Sequence, residues 1–236
     1  MGCDRFIPNS FHTPPSLKQP FWKTFLSYFT DIPLEHSATE LNPALELCLR
    51  KGRYCLTTPN AIYSYGDLYD NFTRTFSKLN LAKMDIRDVL ILGFGLGSIP
   101  YMLEKKFKQD YRYVGVERDE VIAFWATRYV LSELRSPVEL QIADAWVFVE
   151  SCSERFDLII MDIFVDDRIP EEFEETTFLE TLGDLLNENG ILLYNRLALE
   201  EEDRHQTEAF FEKTFKKVFL KASYFDVKGN WVLKNY

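Results

Sequence analysis

From Asp88 to the C-terminus the chain alternates continuous apolar runs with amphipathic ones, and this alternation constrains the fold more than any other feature. "DVLILGF", "YRYVGVERD", "PVELQIAD", "RFDLIIMDIF" and "GILLYNRLA" read as strands. Between them, "SIPYMLEKKF", "EVIAFWATRYVLSEL", "AWVFVESC" and "TTFLETLGDLLNENG" read as helices, the last ending at Gly190, and "EEDRHQTEAFFEKTF" follows as another. Strands that are apolar on both faces must be covered on both faces, so the pattern predicts an α/β fold with a doubly wound, mostly parallel sheet. The final strands, "KVFLKASYFD" and "NWVLKNY", are joined by "VKGN", which is too short for a crossover helix. A seven-stranded sheet ending in an antiparallel hairpin is therefore expected, an ending that excludes most dehydrogenases.

The first part of the chain follows other rules. Phe21, Trp22, Phe25, Tyr28 and Phe29 recur at helical spacing between prolines and predict a short helix with an aromatic face, docked on the body or on a second subunit. "ALELCLRKGRYCLTT" predicts a hairpin turning at Lys51 and Gly52, with Leu45, Leu47, Leu49, Tyr54 and Leu56 on one face and Cys48 opposite Cys55. That register leaves room for a cross-strand disulfide, but reduced thiols suit a cytosolic chain better. The chain thus divides into an N-terminal helix and β-strand element, residues 1–70, and an α/β domain, residues 71–236.

Composition narrows the partners. With 236 residues, 46% of them hydrophobic, the chain can bury one ordinary core. A formal net charge of -10 argues against nucleic acid, whose affinity comes largely from lysine and arginine replacing counterions. No apolar run approaches the roughly 20 residues a membrane-spanning helix needs. "MGCDRFIPNSFHTPP" lacks the apolar core of a secretory signal, and Phe6 stands where a myristoylation site has Ser or Thr. His12, His36 and His205 are too scattered to hold a metal. The expectation is a cytoplasmic chain that binds a small molecule, without a metal, a membrane or nucleic acid.

The strand "LILGF" runs into Gly93, Gly95 and Gly97, and what these glycines face decides the ligand. A dinucleotide fingerprint would place its third glycine where Ser98 stands, and a phosphate loop would end in G-K-[ST], which is absent. Glu117 ends the next strand about 20 residues on, where a carboxylate accepts both hydroxyls of a ribose. Asp144 follows the third strand, placed to accept from an adenine amine, with Ala145 and Trp146 offering a backbone donor and an apolar wall. Asp162 ends the fourth strand, so the loop and these three carboxylates should line one crevice.

Taken together, "VLILGFGLGSIP", "YVGVERDEVI", "LQIADAWVFV", "FDLIIMDIF" and the terminal hairpin resemble the class I S-adenosylmethionine-dependent methyltransferase fold, and within it the spermidine synthase branch. That branch also carries an I-P-x-x-F/L-x-T-x-x-F-L stretch, matched here by "RIPEEFEETTFLETL", and a small strand domain, resembled by "LELCLRKGRYCLTT" and "NAIYSYGDLY". The resemblance extends over nearly the whole chain after residue 40. It implies that the domain 71–236 binds S-adenosylmethionine or its decarboxylated form through Gly93, Gly95, Gly97, Glu117, Arg118, Asp144, Ala145 and Asp162. A homodimer through the N-terminal aromatic segment would suit it.

The departures from that branch shape the expected reaction. Where the branch has D-S-S-D, whose second aspartate deprotonates the attacking diamine, this chain has Val165 at the matching position and Asp166 one residue later. Its Y-H-E-like segment is replaced by Tyr65, Gly66 and Asp67, and its upstream glutamine has no match. The N-P-P-Y signature of nucleic-acid and glutamine N-methyltransferases is absent as well. The expected activity is a methyltransferase acting on an unidentified small molecule, with polyamine aminopropyl transfer or a catalytically silent nucleoside-binding module as alternatives. Asp162 and Asp166 are the candidate base or orienting groups. Tyr65, Asp67 and Asp166 are the candidate acceptor contacts, and Tyr63, Tyr65 and Tyr69 offer walls.

Overall fold

A computed structural model describes residues 18–236. Cys3, Phe6 and His12, on which parts of the sequence reading rest, lie outside the described residues. Helix α1 (Phe21–Leu26) opens the described chain and buries none of its residues. Its aromatic face is not docked on the body: Phe21 is 84% exposed and Phe29, just beyond the helix, 75%. What ties this segment down is Ser27, whose carbonyl and hydroxyl accept from the N–H groups of Lys51 and Gly52 in the hairpin turn.

Four antiparallel strands follow in sequential order, β1 (Ile32–Ser37), β2 (Leu45–Arg50), β3 (Arg53–Thr57) and β4 (Ile62–Ser64). The sequence announced the central pair: Leu47 lies opposite Leu56, Leu49 opposite Tyr54 and Cys48 opposite Cys55, both cysteines being free thiols. The flanking strands carry polar or exposed residues at two thirds of their positions, and so gave no apolar signal. Leu45, Leu47 and Leu56 pack against Leu96, Ile122, Trp125 and Tyr129 of the larger domain.

After helix α2 (Asp70–Lys78), the larger domain is a seven-stranded sheet. Its parallel part is β5 (Asp88–Leu92), β6 (Arg112–Glu117), β7 (Val138–Ile142), β8 (Phe156–Met161) and β9 (Leu186–Leu197). The antiparallel hairpin β10 (Ser223–Asp226) and β11 (Asn230–Lys234) then joins the β9 edge, giving the order β10-β11-β9-β8-β5-β6-β7. Helices α3 (Ser98–Lys105), α4 (Glu120–Trp125), α5 (Ala145–Ser151), α6 (Thr176–Asp184) and α7 (Glu201–Phe210) connect the strands.

Alternation along each strand feeds two cores. Leu90, Leu92, Ile159, Met161, Leu192 and Tyr194 pack with α5, α6 and α7, whereas Val89, Ile91, Leu158, Ile160 and Leu193 pack with α2 and α3. Truncating a fully buried residue such as Ile160 to Ala should cost about 2–5 kcal/mol.

Two helices depart from the expected spans. Helix α6 stops at Asp184, not at Gly190, because Leu186 already pairs with Phe156 as β9 begins. Asn189, at a φ of 66°, then carries a bulge that restores the register at Leu158 opposite Ile191. Helix α4 gives way to a wider turn over Ala126–Val130, so the helical run continues with changed pitch. No helix among the described residues is long and apolar enough to cross a membrane.

Candidate active site

The chain runs from β5 outward through β6 to β7 and then returns to the other side of β5 as β8. Open α/β sheets bind ligands where the order reverses, outside the carboxyl ends of the strands. Here those ends open into a cavity of about 610 Å³, closed on the far side by β4 and by the loop after β8. That volume suits a nucleoside together with a second small molecule. Gly93, Gly95, Glu117, Arg118, Asp144, Ala145, Asp162, Asp166 and Tyr65 all line it.

The glycines answer to the protein as much as to a ligand. A Cβ on Gly93 would lie 2.4 Å from the Asp162 carbonyl oxygen, so this glycine lets the ends of β5 and β8 close together. Gly95, at a φ of 57°, stands beneath β4, with Tyr63 and Ser64 within 3.5 Å of where its Cβ would be. Gly97 lies outside the cavity as the residue before α3. Ser98, in place of a fingerprint glycine, accepts from the Tyr65 N–H at 2.8 Å and shares a hydrogen with Ser64 Oγ, fastening the small sheet to the glycine loop.

Glu117 is held by its own backbone surroundings: Oε2 accepts from Gly95 N–H at 2.9 Å and Oε1 from Asp119 N–H at 3.0 Å. Withdrawal from water raises its carboxyl above the ordinary range, and these amides offset the rise only in part. The next two carboxylates are helix caps that also meet the cavity. Asp119 caps α4 through the N–H groups of Val121 and Ile122, and its other oxygen accepts from Thr39 and Asn42. Asp144 caps α5 and faces Arg118 at 3.5 Å. Trp146 does not line the cavity, because its ring stacks on Phe178 against the core, half-buried, and its backbone N–H is taken by the Asp144 cap.

Asp162 occupies the switch point. Asn195 Nδ2 donates to its Oδ1 at 2.8 Å, Asn230 supports Asn195 at 3.1 Å, and the Tyr69 hydroxyl bonds to it as well. Desolvation pushes its pKa up to about 7, against the opposing pull of Asn195 and Tyr69. A carboxylate so placed takes up and releases a proton near neutrality, the range in which a general base works best. Sequence reasoning missed Asn195, although a fully buried asparagine in the apolar strand "GILLYNRLA" marks a polar partner nearby.

The remaining candidates separate. Asp166, at the tip of a turn closed by paired hydrogen bonds between Val165 and Arg168, is engaged with the β3–β4 hairpin. Asn60 and Thr58 donate to its carboxylate and hold its pKa below the usual carboxylate range. A weakly basic, doubly bonded carboxylate is a poor proton acceptor, so of the two candidate bases the geometry favours Asp162. Asp67 lies outside the cavity. Desolvation raises its carboxyl, but the hydrogen bond and charge of Arg53, 2.5 Å away, bring it below the ordinary range. Tyr63, Tyr65 and Tyr69 all face the cavity, and the Tyr65 hydroxyl is buried without a hydrogen-bond partner.

This sheet order, the terminal hairpin and the strand-end cavity define a class I S-adenosylmethionine-dependent methyltransferase fold of the spermidine synthase-like form. Spermidine synthase from Thermotoga maritima superposes with a TM-score of 0.63 at 15% identity, over 86% of this chain and 72% of that one. Human methyltransferase-like protein 13, solved in complex with SAH, gives a TM-score of 0.52 at 20% identity, over 63% of this chain and 71% of its own. In sequence, the chain is 27% identical over 134 residues to a polyamine aminopropyltransferase of Vibrio vulnificus (strain CMCP6). That match covers 56% of this chain and 43% of the relative, so the chain spans under half the length of that curated relative. No family model matches.

Proposed function

We propose that the chain transfers an alkyl group from a sulfonium nucleoside to an amine, with S-adenosylmethionine as donor and methyl transfer as the leading reading. The observation that carries it is Asp162, a carboxylate at the switch point with a pKa near 7, on the same cavity as Glu117. The lining is acidic: nine carboxylates, Glu117, Asp144 and Asp162 among them, line it against Arg118 and Lys228 among the described residues. Such a surface favours cationic ligands, which both a sulfonium and an ammonium are.

The residues fit the donor in stated roles. Glu117 would accept from the ribose hydroxyls, Asp144 from the adenine amine, and the Gly93–Gly95 turn would let the nucleoside lie against backbone. When bound, the sulfonium supplies an electrophilic carbon whose bond to sulfur breaks as the new bond to nitrogen forms, leaving a neutral thioether. Asp162 would take the proton that the amine must lose, and Asn195 with Tyr69 would hold its oxygens toward the acceptor. With both substrates bound, the filled cavity would leave little room for competing water.

Methyl transfer leads because Asp166 is occupied by Thr58 and Asn60, Glu117 is assigned to the ribose and Asp119 caps α4, which leaves Asp162 as the carboxylate available at the switch point. An aminopropyl donor asks for two, one to hold its own ammonium and one to take the acceptor's proton. A second reading, aminopropyl transfer from the decarboxylated donor, has its own support. Among the described residues the cavity is lined by two cations, Arg118, which pairs with Asp144, and Lys228, so Lys228 alone is left unpaired with a lining carboxylate to meet a methionine carboxylate. Thermal unfolding with each donor separates them, since a ligand that binds only the native state stabilises it by mass action. Stabilisation by S-adenosylmethionine is expected. A shift with the decarboxylated donor alone would move the assignment to aminopropyl transfer, and no shift with either would remove the transferase reading.

A further inference from the structure

Cys48 of β2 and Cys55 of β3 lie directly opposite each other, both free thiols and both buried, at 6% and 0% exposure. The turn that joins their strands sets their separation. Lys51 and Gly52 sit at φ values of 48° and 72°, the left-handed pair of a type I′ two-residue turn, so Arg50 and Arg53 exchange the hydrogen bonds that close it. Pairs alternate along an antiparallel ladder, which makes Leu49 with Tyr54 a non-hydrogen-bonded pair and Cys48 with Cys55 the next hydrogen-bonded one, with Cα atoms about 5.5 Å apart. A disulfide spans Cα separations of about 4.4–6.8 Å, most often about 5.5–6 Å, so the sulfurs can join with the strands left where they are.

The two thiols are not equivalent. Cys55 donates its S–H to Cys48, and that bond holds Cys48 below the ordinary thiol range against the opposing pull of desolvation. Arg50 on the same strand face assists, while Asp31, which Arg50 also pairs, opposes. The bond to Cys48 and desolvation both hold Cys55 above the ordinary range. The thiolate is the nucleophile, so Cys48 is the attacking sulfur and Cys55 the resolving one.

We propose that Cys48 and Cys55 form a redox modification site, closed to a cross-strand disulfide by hydrogen peroxide and reopened by a dithiol reductant. The Cys48 thiolate attacks one peroxide oxygen and the O–O bond breaks. The departing hydroxide takes up the proton that Cys48 released, leaving one water and a Cys48 sulfenic acid. Cys55 sulfur then attacks Cys48 sulfur: the S–S bond forms, the S–O bond breaks, and the hydroxyl leaves with the Cys55 proton as a second water. The two thiols lose two electrons in all, which the peroxide gains. The site lies behind the cavity, since Tyr65, which lines it, has its ring 5.9 Å from the Arg50 guanidinium. Oxidation therefore cross-links the sheet that carries one wall of the cavity, whatever reaction the cavity runs.

Tryptic mapping of the full chain tests this, because cleavage after Arg50 and Arg53 puts the two cysteines on separate peptides. The folded wild type, treated with hydrogen peroxide and then blocked with N-ethylmaleimide in denaturant, should yield those peptides joined and unblocked, and dithiothreitol should part them. Cys55→Ser should leave a Cys48 sulfenic acid that dimedone captures, at least about tenfold more than it captures at Cys55 in Cys48→Ser. The proposal is overturned if the treated wild type carries maleimide on both peptides, or if either cysteine is joined instead to Cys3 or Cys152. It is overturned equally if Cys48→Ser traps as much dimedone as Cys55→Ser. None of these outcomes bears on nucleoside binding, so the transferase reading stands or falls separately.

Discussion

The two halves of the cavity are built on different plans. The proposed donor half is made of strand ends: Glu117 is the last residue of its parallel strand, and Gly93 and Asp144 follow theirs by one and two residues, so the sheet places them and local sequence reveals them. The proposed acceptor half is made of long-range contacts, in which Thr58, Asn60 and Tyr63 of the small sheet meet Asp166 of the loop after β8. Asp162, bonded to Asn195, lines the same cavity and on the proposed function serves both halves. On the proposed function, a scaffold that builds the donor half from strand ends and the acceptor half from loop contacts could vary its acceptor without disturbing its donor.

The sharpest break in this comparison is Asp162→Asn. It should lower single-turnover rates by about 10²–10⁴, the usual worth of a positioned base, while donor affinity measured by calorimetry changes less than about threefold. Equal loss in both would move Asp162 wholly into the donor half. Glu117→Ala should act the other way, weakening donor binding by about 10- to 100-fold through lost charge-assisted hydrogen bonds, with circular dichroism reporting an intact fold.

Stability against pH sharpens the contrast further. The folded pKa of Asp162 lies above its unfolded value, so the folded state binds more protons between about pH 4 and pH 7, and stability falls as pH rises through that window. Asp162→Asn should relieve this: the variant should gain about 1–3 kcal/mol over wild type at pH 8 in urea denaturation and little at pH 4. Asp144→Ala should cost about 1 kcal/mol of stability through the lost α5 cap. Smallest is Arg118→Ala, whose exposed pair with Asp144 is worth at most about 1 kcal/mol, read as a minor change in melting temperature.

Sequence legibility follows the same division. The alternation after Asp88 and the short "VKGN" link were enough for the parallel sheet and its antiparallel end, because buried strands and their connections are local signals. Strands β1 and β4 were not legible, since "IPLEHS" and "IYS" lack an apolar pattern and depend on β2 and β3 for pairing. Asp166 was visible as a carboxylate near Asp162, but its partners Thr58 and Asn60 lie over a hundred positions earlier, and no spacing rule links them. Asp67 matched a family position in sequence, yet Arg53 on the neighbouring strand turns it to an ion pair outside the cavity.

The central claim is that one cavity holds a sulfonium nucleoside on Glu117 with its reactive carbon toward Asp162, and a crystal structure with S-adenosylmethionine tests it most directly. The account predicts the ribose hydroxyls on the Glu117 carboxylate, the adenine beside Asp144 and the sulfonium facing Asp162. A nucleoside bound away from Glu117, or with its sulfur turned from Asp162, would contradict it.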